Sequence, residues 1–200
     1  MFSLEKSYFY NLSLGRISFK KVIETIFDYM AEKPDRFYDI VVGCDSSSGE
    51  KPAFPVAIVI LRVGQGGRFF FKRIQYSKEK KFYNLHQRVL QEILISCELA
   101  LFLKEKLKER VDELRSSSRR RDGRKNLFLR PSPPLANARV IEKPGHRLNY
   151  QFRYIHADIG ENGKTKDMIK EVVGLIRSNG FEAKVKPESF AASVVADRFT

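Results

Sequence analysis

The chain has 200 residues, 42% of them apolar, and carries 37 Lys and Arg against 24 Asp and Glu, a formal charge of +13. That length supports one core, so a single domain over residues 1–200 is expected, and the basic excess points to polyanionic partners, nucleic acid or an anionic surface. Only Cys44 and Cys97 occur, both in apolar runs, which excludes a disulfide framework and suits a reducing cytoplasm; no leader-like or membrane-spanning apolar stretch is visible.

Taken in chain order, Phe19, Val22, Ile23, Ile26, Phe27 and Met30 recur at helical spacing after a possible Ser18 cap, and Pro34 marks the stop. This predicts an amphipathic N-terminal helix over about 18–32. Asp39-Ile-Val-Val-Gly-Cys-Asp45 then reads as a buried strand closing on a carboxylate. Val56 to Val63 and Arg68 to Ile74 are two more strands, joined by Gly64-Gln-Gly-Gly67, which supplies the positive φ of a hairpin. From about Leu85 to Leu114 neither proline nor glycine interrupts, and Ile93 to Leu103 is apolar nearly all round, as in a well-covered helix.

Residues 116–150 change character: three serines, Arg119, Arg120, Arg121, Arg124 and Lys125, then four prolines, with nine basic residues against two acidic. This reads as a basic inserted loop, either a solvated linker or an arm sliding along phosphates. Gln151 to Ile159 follows as a strand, Thr165 to Arg177 as a helix ended by Gly180, and Phe181 to Val185 as a strand with one wet face. Pro187 then opens a last helix at a favoured first-turn position. The order implies an α/β fold with a mixed five-stranded sheet, three antiparallel strands followed by alternating helices and strands, covered by helices.

Two-metal phosphodiester chemistry needs converging carboxylates, so that one Mg²⁺ or Mn²⁺ activates water and another stabilises the leaving oxygen. Asp45 and Asp158 end strands, and Glu92 lies early in the long helix that would cross them. Glu92 shares its stripe with Val89, Ser96 and Leu99, where a lone carboxylate is costly; Glu98 is its rival. Asp197 falls on a polar stripe with Ser189 and Ser193. An ordinary reading stands beside each: a polar turn for Asp45, a buried ion pair for Glu92, a cap on the Gly160 turn for Asp158, and fraying for Asp197.

Three patterns occur in order: Asp39-Ile-Val-Val-Gly-Cys-Asp-Ser46, Tyr154-Ile-His-Ala-Asp-Ile-Gly160 and Lys186-Pro-Glu-Ser-Phe-Ala-Ala-Ser-Val-Val-Ala-Asp197. Together they resemble the YkuK-type family of ribonuclease-H-like proteins over nearly the whole chain except the basic insert. The resemblance implies a ribonuclease-H-like fold in which Asp45, Glu92, Asp158 and Asp197 match the strand, helix, strand and helix positions of metal-binding acids. Ser47 departs from the family, where glutamine often follows Asp-Ser.

Other constellations are weaker. Gly163-Lys-Thr165 fails as a phosphate loop, because Asp158 stands where the first glycine is required. Neither a structural zinc site nor a serine or cysteine nucleophile has support. His156 shares a strand face with Asp158 and would either touch a scissile phosphate or support the strand end. Lys186 would steady a phosphate or be merely solvated. Phe69, Phe70 and Phe71 offer base-stacking rings, although alternation sends at least one to the core. The functional expectation is a metal-dependent nuclease acting on RNA, an RNA·DNA hybrid or structured DNA. The alternatives are a catalytically inactive nucleic-acid-binding module of the same fold and a protein-interaction scaffold.

Overall fold

A computed structural model describes residue 4 and residues 6–77, 79–121, 138–143 and 146–200. The chain opens on a hairpin, β1 (Tyr8–Asn11) and β2 (Gly15–Ser18). Ser18 then caps α1 (Phe19–Glu32), its Oγ accepting the Lys21 N–H at 3.3 Å, which satisfies one of the helix's otherwise orphaned donors. The apolar stripe of α1, with Val22, Ile26 and Met30 fully buried, contributes about 1.5–3 kcal/mol for each such side chain.

The antiparallel meander is β3 (Phe37–Cys44), β4 (Ala53–Arg62) and β5 (Gly67–Gln75). Gly64 and Gly66 take φ of 77° and 87° in the β4–β5 turn, and the Arg62 N–H closes it on the Gly66 carbonyl at 2.8 Å. Then come α2 (Leu85–Arg121), β6 (Ala138–Lys143), β7 (His146–Ala157), α3 (Ile169–Ser178) and β8 (Glu182–Lys184). A π-helix, Ala191–Ala196, and a 3-10 turn, Asp197–Phe199, end the chain.

All strands join one mixed sheet in the order β2-β1-β5-β4-β3-β7-β6, with β8 also pairing β7. β7 runs parallel to β3 and β8, and every other pairing is antiparallel. The sheet therefore has eight strands where five were expected; β1, β2 and β6 are the additions. β6 and the start of β7 lie inside the stretch read as a loop over 116–150, and α2 runs on through it to Arg121. β6, centred on the β-branched pair Val140-Ile141, pairs antiparallel with the edge of β7.

Alternation along β3 divides the molecule into two layers. Ile40, Val42 and Cys44 join the core under the three α-helices, while Val41 joins a smaller cluster with Ala191 and Ala196 on the opposite face. α2 is not covered all round: Leu94 and Leu101 remain 48% and 45% exposed, while Ile93, Leu99 and Leu103 are buried. Arg62, only 7% exposed, lies across from Tyr38 at the start of β3. Its Nε donates to Tyr38 Oη at 3.0 Å, and its Nη2 donates to Tyr29 O at 3.1 Å and Glu32 Oε2 at 2.9 Å.

The expected last helix differs most. Pro187 lies in a turn after β8, and Ala191–Ala196 winds as a π-helix, so the four-residue polar stripe of Ser189, Ser193 and Asp197 does not form as such. Ser189 is fully buried and Asp197 is exposed. The wider turn sits where the backbone is pressed against the sheet at Gly43, and such rare π turns are frequent at functional sites.

Candidate active site

β3 and β7 are parallel neighbours in register, with Cys44 opposite Ala157. Asp45 and Asp158, each one residue beyond its strand, thus leave the sheet side by side. Strand ends suit such groups, since the ladder fixes the backbone up to the last residue while the next side chain is released from it. Asp45 N–H still donates to the Pro55 carbonyl at 3.1 Å, and Ser47 closes the same loop, its Oγ accepting Ala53 N–H at 2.9 Å. Ser47, the departure from the family pattern, is therefore a loop fastener here.

Glu92 comes from the other layer. It lies on the buried stripe of α2 with Val89 and Ser96 and is 4% exposed. The Ser46 hydroxyl donates to its Oε1 at 2.5 Å. Arg88, one helical turn earlier, lends Glu92 positive charge and donates from Nη1 to the Ser47 carbonyl at 3.1 Å. Sequence reasoning passed over Ser46 and Arg88; the four-residue step from Arg88 to Glu92 was the available signal. Glu98, the rival acid, lies near Lys72 and Tyr76, away from this group.

Asp197 arrives on the chain end, and its position depends on Gly43. A Cβ there would lie 2.5 Å from Ala192 N and 2.7 Å from Ala191 C, so only glycine lets the π-helix backbone rest on β3. Across the sheet from Gly43 is His156, whose Nδ1 accepts the Ala191 N–H at 3.1 Å. The ring is fully buried, edge-on to Phe190 at 4.6 Å. Burial, with the nearby Lys184 charge, drives its pKa down to about 3, so the neutral ring accepts at Nδ1 and carries its proton on Nε2. Of the two readings of His156, the buried ring with its Nδ1 bonded to Ala191 fits the supporting one: it holds the π-helix from beneath.

Electrostatics bind the four acids into one group. Burial, with added repulsion from Asp158 and Asp197, pushes Asp45 up to about 6, and Asp197 shares a hydrogen bond with it. Burial also pushes Glu92 up to about 8, again with repulsion from Asp45 and Asp158, against the opposing hydrogen bond from Ser46. Lys186 Nζ pairs with Asp158 Oδ2 at 2.9 Å, while Asp158 Oδ1 is buried without a hydrogen-bond partner. Lys186, expected as a phosphate contact, is thus engaged by an acid of the site.

The acids offer only hard carboxylate oxygens, the donors that Mg²⁺ and Mn²⁺ favour, and the orphaned Asp158 oxygen fits such a ligand. Among the described residues, no three His, Cys, Asp or Glu side chains are grouped closely enough to hold an ion together. The donors fit in kind, and a full shell requires them to draw inward. Of the basic candidates, Arg119, Arg120 and Arg121 form the last turn of α2; Arg124 and Lys125 lie outside the described residues. Among the described residues no helix is long and apolar enough to cross a membrane.

The model of the family described as "Ribonuclease H-like" matches residues 21–120 and 136–200, so the match is broken across the basic stretch. The chain is similar to a Bacillus subtilis (strain 168) protein named "Uncharacterized protein YkuK", with 27% identity over 193 residues, covering 96% of each chain. No solved structure matches it. With the three ordered motifs, the mixed sheet and a family match across both halves, the chain belongs to the ribonuclease-H-like family, in its YkuK-type branch.

Proposed function

We propose that the chain is a divalent-metal-dependent nuclease that hydrolyses phosphodiester bonds of RNA, an RNA·DNA hybrid or structured DNA. The fold alone carries no reaction. The observation that carries this reading is that Asp45, Glu92, Asp158 and Asp197 come from two strand ends and two helical elements to one end of the sheet, where burial first and repulsion between neighbouring acids second raise Asp45 and Glu92 above the ordinary carboxylate range. Burying carboxylates beside one another costs stability unless a cation or proton relieves it, and groups perturbed in this way cluster at functional sites.

Asp45 and Asp158 would hold Mg²⁺ or Mn²⁺, with Glu92 and Asp197 completing the shell. When bound, such ions supply a nucleophilic water and charge neutralisation at the phosphate. Ser46 keeps the Glu92 carboxyl aimed at the group, and Arg88 offsets its charge on ionisation. Lys186 pairs with Asp158 where a cation would otherwise balance it, and with an ion held by Asp158 the lysine would be free to offer its charge to a phosphate. The +13 charge favours a polyanionic substrate.

Two observations favour a second reading, a nucleic-acid-binding module without catalysis: Lys186 already neutralises Asp158, and among the described residues no three acids are grouped around one point. The deciding experiment is cleavage of labelled RNA, hybrid and branched DNA in Mg²⁺ or Mn²⁺, comparing the natural chain with Asp45→Asn and Asp158→Asn. Cleavage abolished by both substitutions supports the nuclease. Absence of cleavage in either metal, with salt-sensitive binding that survives both substitutions, replaces it with the binding module.

A further inference from the structure

The β1–β2 hairpin lies wholly before residue 21, where the family match begins. Its outer surface joins the edge of β5 in an open hollow lined by Lys6, Arg16, Lys72 and Arg73, with Tyr8, Tyr10 and Phe71, and among the described residues no carboxylate lines it. Alternation explains the arrangement: Phe9 is fully buried, while Tyr8 and Tyr10 on the other face are 48% and 45% exposed. Asn11 Nδ2 donates to the Phe69 carbonyl at 2.8 Å, fastening the hairpin to β5.

The rings and cations are set in a row. The Arg16 guanidinium, opposite Tyr10 in the hairpin register, lies 3.9 Å over the Tyr8 ring. Tyr10 sits 5.8 Å from Phe71, and Phe71 stacks on Phe199 at 3.6 Å with the rings 7° from parallel. Phe199 is two residues beyond Asp197 in the same 3-10 turn. An aromatic path therefore leads from the acid group to the hairpin. Phe69 and Phe71 are taken up by Phe199 and Phe70 by the core, so along this path the exposed rings are Tyr8 and Tyr10.

We infer that the β1–β2 hairpin is a stacking platform for single-stranded nucleic acid, with Tyr10 and the Arg16 guanidinium receiving bases while Lys6 and Arg73 face phosphates. Cations alone would suit any polyanion, but cations interleaved with exposed rings match an unpaired strand, whose bases are free to stack. A duplex keeps its base faces covered and gains only the charge contacts. As the substrate of the acid group the strand rests on the nuclease reading; as a bound ligand it does not.

The test is fluorescence anisotropy in chelator, so that nothing is cleaved, using a labelled single strand of about ten nucleotides, the matching duplex, and heparin as competitor. Tyr10→Ala and Arg16→Ala should each weaken single-strand binding about ten-fold, while duplex binding changes much less for Tyr10→Ala and Tyr10→Phe restores the natural affinity. Circular dichroism and melting of each variant establish that the sheet persists. Single-strand affinity unchanged in the Tyr10→Ala, Arg16→Ala double variant overturns the inference, as does failure of the natural chain to bind the strand or equal loss for strand and duplex. Absent cleavage with hairpin-dependent binding sinks the nuclease reading alone; cleavage with hairpin-independent binding sinks the platform alone.

Discussion

The two ends of β3 bury charge in opposite ways. At its start, the Arg62 guanidinium is enclosed by the Tyr38 hydroxyl, the Tyr29 carbonyl and Glu32, and lies 4.2 Å over the Tyr29 ring. Beyond its finish, Glu92 is equally buried but has one hydroxyl donor and faces two other acids. The first end is a solved electrostatic problem and belongs to stability. The second is left open, and on the proposed function it is a bound cation that would close it.

The comparison breaks if the ends respond alike to substitution. Arg62→Ala should cost roughly 2–4 kcal/mol, because packing and several buried hydrogen bonds vanish together, as read by urea denaturation; a loss below 1 kcal/mol would deny the enclosed guanidinium its structural role. Glu92→Gln should do the reverse in chelator at pH 9, stabilising the chain by roughly 2–3 kcal/mol through removal of a buried, repelled anion.

The pH dependence sharpens the same point. Glu92 titrates at 4.5 in its ordinary state and at about 8 in the fold, so the folded chain holds the extra proton between those values. Its stabilising contribution is full below pH 4.5 and lost as pH rises through about 8; Asp45 follows the same sign between 3.8 and about 6. Melting in chelator should therefore be higher at pH 5 than at pH 9, with Glu92→Gln flattening the upper part of the profile. Mn²⁺ titrated calorimetrically should bind more tightly at pH 8.5 than at pH 6, releasing protons at the lower pH; affinity independent of pH would separate metal binding from these acids.

Smaller effects follow. Gly43→Ala should cost about 1–3 kcal/mol by lifting the π-helix off β3, with faster proteolysis near the C-terminus. Glu32→Gln should change stability by less than about 1 kcal/mol, since Glu32 is 45% exposed although it pairs with Arg62.

Where local pattern carried enough information, the sequence could be read. α1 announced itself through a serine cap and an unbroken stripe, and β3 to β5 through β-branched runs around a glycine turn. Asp45 and Asp158 were legible as carboxylates closing apolar strands, and Glu92 as the acid in an apolar stripe. The β1–β2 hairpin was not, because each strand has four residues and buries one apolar side chain well. β6 was hidden by the prolines and arginines around it and exists only through β7. The π-helix escaped because apolar spacing cannot distinguish it from an α-helix; the decisive cause, a bare Gly43 beneath it, is far away in sequence. The Lys186–Asp158 pair likewise joins two loops whose meeting no local rule announces.

The length of α2 has a metric consequence. Glu92 lies two turns into it and Arg121 at its last residue, about 44 Å apart along the axis at 1.5 Å per residue. The root of the basic stretch is displaced from the carboxylates by that rod. Were a nucleic-acid strand to be held at both ends, stacking at about 3.4 Å per nucleotide would require on the order of a dozen nucleotides to span the interval, so on the proposed function α2 would separate short oligonucleotides, which reach one end, from longer ones that reach both.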